Sequence, residues 1–314
     1  MKAILIQKPG DFQIVDVPRP QPGNGQVLIR LHAASLCNQH DLKVWTGGYH
    51  QLAYLEYGIP GFPGHEGAGE IVQVGSQVDG FRIGDRVLFS GLGGPPLYQE
   101  YVLRDAAEIV RFSAQLPYEQ VAMAELFGCV HRGLRKMTDW QGKSVLVAGL
   151  GPAGLAAAQM VKALGAQVVW GSDLRLARLT LAEQLGVDRA VDAGNPQTHK
   201  LLVNQGFDRV YETTGNSTSI RQSLQCAREG VILFGYSEGE LCLDAYPIFD
   251  RELTLVGSKW LTVDDLRAVA AWMEYGEIRT APMITHRFAF SDYPQAVAAI
   301  QRGEVVKAVV VPEE

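Results

Sequence analysis

Short runs of alternating and continuous hydrophobic positions dominate residues 1–120. Lys2–Gln7 and Gln26–Ala33 are rich in Ile, Val and Leu and are bounded by Pro and Gly, which predicts strands; Glu70–Val74 and Asp85–Phe89 continue the pattern. Pro18, Pro20 and Pro22 mark an irregular connection. Helical spacing is confined here to Asp41–Trp45 and to the chain after Pro117. From Val121 the pattern changes. Val121–Met137 carries apolar residues at helical spacing without a proline. Short apolar strands then alternate with helices: Ser144–Ala148, Gly154–Leu164, Gln167–Trp170, Ala177–Leu185, Arg209–Glu212, Ser217–Ala227, Val231–Phe234 and Leu253–Val256. Such alternation predicts a parallel, doubly wound α/β sheet with helices on both faces. Asp264–Tyr275 reads as a helix, Ile284–Phe290 as a strand, Tyr293–Arg302 as a helix and Ala308–Val311 as a last strand.

Candidate chemistry is concentrated at two places. The first is Gly149-Leu150-Gly151-Pro152-Ala153-Gly154, which follows a strand and opens a helix. In that setting the first glycine makes the turn. The second lets backbone approach a pyrophosphate, the third lets helix and strand pack closely, and the helix N-terminus presents free N–H groups to the anion. Asp173 lies 19 residues after Gly154, at the end of the next strand, where a carboxylate accepts hydrogen bonds from the ribose of NAD and repels the 2′-phosphate of NADP. Arg175 and Arg178 pull the other way, because a guanidinium can hold a phosphate. NAD is favoured over NADP.

The second is Gly64-His65-Glu66-Gly67-Ala68-Gly69. A His-Glu pair between glycines suits a solvated loop as well as a site. Cys37, within Ser35-Leu36-Cys37-Asn38-Gln39-His40-Asp41, and Glu125, within Ala124-Glu125-Leu126, add donors of the kinds that make a mixed zinc sphere. Three protein ligands with one position open is the catalytic arrangement.

Composition trims the alternatives. At 314 residues the chain is long enough for two domains. With 28 basic against 34 acidic residues, a net charge of −6 and no basic stretch, a nucleic-acid partner held by phosphate neutralisation is excluded. Four scattered cysteines without a CxxC exclude a zinc ribbon; Cys129, Cys226 and Cys242 read as core. Ser144–Val161 is apolar, but it holds Pro152 and the glycine turn and does not read as a membrane span. The first residues lack the apolar run of a secretion signal, so a cytoplasmic protein is expected.

Together these motifs resemble the zinc-dependent medium-chain dehydrogenase/reductases, the alcohol and polyol dehydrogenase group. Gly84-Asp85-Arg86-Val87, Glu212-Thr213-Thr214-Gly215, Gly257-Ser258 and Ile284-Thr285-His286 extend the likeness over nearly the whole chain. The resemblance implies a β-rich GroES-like catalytic domain from residues 1–120 and 262–314, with a Rossmann domain, 121–261, inserted between. It implies one catalytic zinc, with Cys37 and His65 as ligands, Glu125 as third ligand or water partner, and Glu66 as a ligand that exchanges with water or substrate. Gly149, Gly151, Pro152, Ala153, Gly154, Asp173 and Arg178 would bind the cofactor. Hydride would pass between a small alcohol, secondary or polyol, and NAD, in a homodimer or homotetramer.

Three departures stand out. Leu88–Val102 contains no cysteine, so no structural zinc is expected. Gln39 stands where the family has a proton-relaying Ser or Thr, which leaves the neighbouring His40 as the relay. Asn38…Asp41 resembles zinc-free enone or quinone reductases of the same superfamily, which use NADPH; that is the alternative activity. Trp45, Tyr49, Tyr54, Tyr57 and Leu92 suit either packing or the lining for a sizeable or apolar substrate.

Overall fold

The structure, a computed structural model, describes residues 1–49 and 56–313; Tyr54 lies outside them. The chain divides into two compact units. One comprises Met1–Leu126, Leu266–Glu274 and Thr280–Glu314, the other Phe127–Asp265 and Tyr275–Arg279.

The chain opens with β1 (Lys2–Ile6), β2 (Phe12–Asp16), β3 (Gln26–Ser35), α1 (His40–Thr46), β4 (Glu66–Val74), β5 (Arg86–Ser90), β6 (Tyr101–Asp105), β7 (Ile109–Arg111) and α2 (Tyr118–Val121). Helix α3 (Ala124–Arg135) carries it into the second unit. There follow β8 (Ser144–Ala148), α4 (Pro152–Ala163), β9 (Val168–Asp173), α5 (Leu176–Gln184), β10 (Arg189–Asp192), α6 (Thr198–Gln205), β11 (Phe207–Glu212), α7 (Ser217–Cys226), β12 (Ala227–Leu233), α8 (Ala245–Asp250) and β13 (Thr254–Gly257). The return is made by α9 (Val263–Glu274), β14 (Ile284–Ala289), α10 (Tyr293–Arg302) and β15 (Lys307–Val311).

In the first unit β3 is the spine. It pairs antiparallel with β4, β6 and β15, and its Val27, Ile29 and Leu31 enter one core with Ile4, Ile6, Ile71, Val87, Phe290 and Val297. The alternation of side chains along a strand sends these residues to one face. β15, from the end of the chain, pairs with the end of β3 at Val309↔Ser35 and Val310↔Ala34. That pairing sets β15 against the segment that follows β3. Leu36 N donates to Ala308 O at 3.0 Å, and Asn38 Nδ2 donates to Val306 O at 2.9 Å. The loop between β5 and β6 is closed from inside by Arg104, fully buried, whose Nε donates to Ser90 O at 3.0 Å.

The second unit is a six-stranded parallel sheet in the order β10-β9-β8-β11-β12-β13. That is the doubly wound Rossmann order, which reverses between β8 and β11 and opens a crevice beyond their carboxyl ends. The central β8 is a near-continuous apolar run, with Val145, Leu146, Val147 and Ala148 all buried, because helices cover both faces of the sheet. Glu212, fully buried at the end of β11, shows how the crevice is braced. Its carboxylate accepts from Thr214 N at 2.9 Å, Gly215 N at 3.1 Å and Ser219 Oγ at 3.0 Å, and from the Thr214 hydroxyl.

The sequence pattern misses some elements. The helix expected over Val121–Met137 is broken into α2 and α3, and α4 starts at Pro152 rather than Gly154. Proline suits a first helical turn, where its missing N–H has no partner to lose. β10 and α6 are absent from the sequence reading. β10 is a four-residue edge strand that buries only Val191, and α6 buries only Thr198 and Leu202, so neither carries much apolar signal. Among the described residues no helix is long and apolar enough to cross a membrane.

Candidate metal and nucleotide sites

The candidate metal donors all belong to the first unit. Cys37 follows β3, His65 ends the loop before β4, and Glu66 begins β4. Their ligand atoms lie within 4.8 Å of one another. Each is held from behind. The Cys37 backbone N–H donates to Asp41 Oδ2 at 2.9 Å. Asp41 is fully buried, and its Oδ1 accepts from Tyr98 at 2.6 Å and from Tyr293 at 3.0 Å. Burial raises the Asp41 pKa against the lowering effect of the nearby His65 and of these donors. His65 Nδ1 donates to Pro63 O at 2.9 Å, which turns Nε2 toward the other donors, 3.9 Å from Glu66 Oε1. An outer hydrogen bond of that kind fixes the tautomer of a metal-binding histidine.

The electrostatics are those of a cation site. Burial pulls the His65 pKa down, but the hydrogen bond it donates to Cys37 and the charges of Cys37, Glu125 and Glu66 outweigh it and hold it well above its ordinary value. The cluster draws positive charge inward. Thiolate, imidazole and carboxylate are the donors zinc takes, so the residues fit that ion.

His40, the first residue of α1, has Nδ1 2.7 Å from the Tyr49 hydroxyl and its ring edge-on to His65 at 5.1 Å. Burial, and then the charge of His65, push its pKa down to about 3, so its ring is neutral. Glu125 acts on His65 electrostatically but is not among the three donors that converge. Trp45 and Tyr57 pack on the core.

Sequence reasoning missed Lys307 entirely and saw Asp41 only as part of a pattern. Lys307 Nζ lies 2.9 Å from Glu66 Oε1 and 2.8 Å from Oε2, and both side chains are 1% exposed. The signal was present: a single lysine inside Val305-Val306-Lys307-Ala308-Val309 is a charge within a buried strand.

The residues expected to bind a nucleotide gather in the second unit, at the point where the strand order reverses. Gly149, at φ +90°, follows β8; a Cβ there would meet Thr213 Oγ1 and Thr214 Cγ2 at 2.7 Å. A Cβ on Gly154 would lie 1.8 Å from Gly149 O, so the helix seats directly on the turn. Gly151 caps α4 and faces open space, with Arg178 Nη1 the nearest atom, 3.8 Å from where its Cβ would be. Pro152 and Ala153 form the first turn of α4. Asp173 ends β9; its Oδ2 accepts from Leu150 N at 2.8 Å and Arg178 Nη1 at 3.4 Å, and its Oδ1 accepts from Arg175 N at 3.0 Å.

Known proteins share both units. Residues 23–117 match the alcohol dehydrogenase GroES-like domain family, and residues 152–275 match the zinc-binding dehydrogenase family. L-Threonine 3-dehydrogenase of Bacillus licheniformis is 31% identical over 350 residues, covering 99% of this chain and 99% of that protein. The chain belongs to the zinc-type medium-chain dehydrogenase/reductase family. Sorbitol dehydrogenase of Halalkalibacterium halodurans is 27% identical, covering 99% of each chain. The crystal structure of 2R,3R-butanediol dehydrogenase from Bacillus subtilis superposes with a TM-score of 0.89 at 25% identity, covering 99% of each chain. As a member of the alcohol and polyol dehydrogenase group of this family, the protein is an oxidoreductase that acts on CH–OH donors with a nicotinamide cofactor.

Proposed function

We propose that this medium-chain dehydrogenase oxidises a small secondary alcohol or polyol with NAD and carries one catalytic zinc. The convergence of Cys37, His65 and Glu66 within 4.8 Å is the observation that supports the metal assignment. Cys37 and His65 are the permanent ligands in this reading, and Glu66 and Glu125 supply carboxylate. A bound zinc supplies Lewis acidity to a substrate oxygen, and the nicotinamide exchanges the hydride. The chain's own residues do the rest. Asp41 fixes the backbone of Cys37, Pro63 O fixes the His65 ring, and His40 with Tyr49 offers the proton route that the amide of Gln39 does not. Gly149, Gly151 and Gly154 seat the pyrophosphate on the α4 N-terminus, and Asp173 takes the ribose.

The named relatives act on threonine, sorbitol and butanediol. Each has a secondary alcohol next to a carbon bearing another heteroatom, and that is the substrate class proposed here. Purified protein is expected to hold about one zinc per chain and to oxidise vicinal diols or amino alcohols faster than simple alcohols. Metal analysis and an alcohol panel run with NAD and NADP check this. A metal-free preparation that reduces enones would reverse the assignment.

We also propose that the protein is a homo-oligomer through β13. That strand is the edge of the Rossmann sheet, and Tyr246 and Phe249 on α8 of the same unit are 68% and 83% exposed. Light scattering on a sizing column is expected to give a dimer or tetramer mass; a monomer at micromolar concentration would contradict it.

A further inference from the structure

Glu125 stands apart from the other candidate donors. Cys37 follows β3, and His65 and Glu66 stand at the head of β4, so the sheet itself places them. Glu125 arrives from a stretch with little regular structure. Between β7 and α3 the described chain forms one element, the four-residue α2, and the turn before it exposes Ala114, Gln115 and Pro117. Arg86, at the start of β5, grips this stretch from the sheet. Its Nη1 donates to Ser113 O at 3.3 Å and its Nη2 to Leu116 O at 2.7 Å. The guanidinium lies 4.6 Å from the centre of the Phe112 ring and 4.1 Å from that of Tyr118, the first residue of α2. His32, on β3, stacks on the same Tyr118 ring at 4.2 Å with 8° between the planes. Two planar groups that close cannot share one face, so the ring is clasped on both. A guanidinium suits the place, because its flat fork spans two carbonyls while its face lies on a ring; an ammonium cannot do both.

Register ties Arg86 to the other donors. β4 and β5 pair antiparallel with Glu70 opposite Arg86 and Glu66 opposite Ser90. One ladder therefore carries Glu66 at one end and the grip on Tyr118 at the other. From Tyr118 to Glu125 there is little slack. Ala122 N donates to Tyr118 O at 2.8 Å, and Val121, Ala122, Met123 and Ala124 are each at most 1% exposed. Side chains packed at interior density transmit strain, so a shift of α2 is passed to Glu125, the next residue along. Glu125 is near enough to act on His65 by charge, which makes its placement matter to the donor set.

We propose that Arg86 is a positioning residue for Glu125: with His32 it clasps Tyr118, fixes α2 against the sheet, and so sets the reach of the Glu125 carboxylate toward the metal position. This rests on the zinc reading above, and within it on Glu125 as a donor.

Zinc loss to a chromogenic chelator and the visible d–d spectrum of cobalt-substituted protein test this without turnover. Arg86→Met is expected to speed metal loss about 10-fold, the lower end for groups that orient metal ligands, and to shift the d–d bands. Arg86→Lys keeps the charge without the fork and is expected to match Arg86→Met. Tyr118→Leu breaks the same clasp and is expected to do likewise. Glu125→Gln alone is expected to speed metal loss, and adding Arg86→Met to it to change neither rate nor spectrum further. That comparison separates positioning from stability, since a loosened fold would speed metal loss in either background. The proposal is overturned if Arg86→Met or Arg86→Lys releases metal as wild type does, or if the effect of Arg86→Met persists undiminished in Glu125→Gln. Should Arg86→Met fail to fold, Tyr118→Leu decides on the same two comparisons. Wild-type protein that binds neither zinc nor cobalt overturns the zinc reading and this inference together. A metal-binding wild type whose release rate Glu125→Gln leaves unchanged overturns this inference alone.

Discussion

Cys37→Ser and His65→Ala are each expected to lose bound zinc and to lower kcat/KM by about 10³-fold or more, while the protein stays folded. A metal Lewis acid contributes several kcal/mol to such a reaction, and each 1.36 kcal/mol is a factor of ten in rate. The fold should survive because neither side chain belongs to the hydrophobic cluster of the first unit. In Cys37→Ser the backbone bond to Asp41 Oδ2 remains, and with it the Tyr98 and Tyr293 contacts that hold α1 in place. In His65→Ala the losses are the hydrogen bonds to Pro63 O and to Cys37. Zinc content by mass spectrometry, circular dichroism and initial rates read the three parts separately. Full turnover by wild-type protein after thorough zinc removal would sink the metal mechanism, whatever the variants do.

The parts of this molecule that were legible in the sequence are those where one short stretch carries its own reason. The glycine turn between β8 and α4 is such a stretch, because strand, glycines and helix lie side by side in the chain. His65 and Glu66 are adjacent and bracketed by glycines, so they could be picked out together. Cys37 could be joined to them only as a donor of the right chemical kind and then through a resemblance, since β3 and β4 bring it across from a separate segment. Lys307 lies still further off, on a strand that reaches Cys37 only because β15 adds to β3 at the far end of the chain. Its sole local mark, a charge inside an apolar run, is also what a sheet edge would show. Asp41 was visible as a spacing but not as a buried hub, because its partners Tyr98 and Tyr293 come from two other segments. β10 and α6 escaped because they bury only one and two side chains respectively.

Asp173→Ser is expected to move the enzyme from NAD toward NADP. In the wild-type protein the Asp173 carboxylate occupies the end of β9, draws Arg178 to its Oδ2, and is only 8% exposed. A ribose diol placed there gains an ionic acceptor, and a hydrogen bond to a charged group contributes about 1.5–3 kcal/mol, roughly 10- to 100-fold. The 2′-phosphate of NADP meets a carboxylate instead, and Arg178 is already engaged. Removing the carboxylate reverses both effects: the ribose loses its acceptor, and Arg178 is released toward the phosphate. Wild-type kcat/KM is expected to favour NAD by about 10²-fold, and Asp173→Ser to bring the ratio close to one. Asp173→Asn separates charge from scaffolding. Its amide oxygen can still accept from Leu150 N, whose bond to Asp173 at 2.8 Å helps hold the glycine turn. If that variant keeps the wild-type melting temperature but loses most of the preference for NAD, the charge of Asp173 sets cofactor choice. Equal use of both cofactors by the wild-type enzyme would remove Asp173 from that role and leave it a brace for the turn.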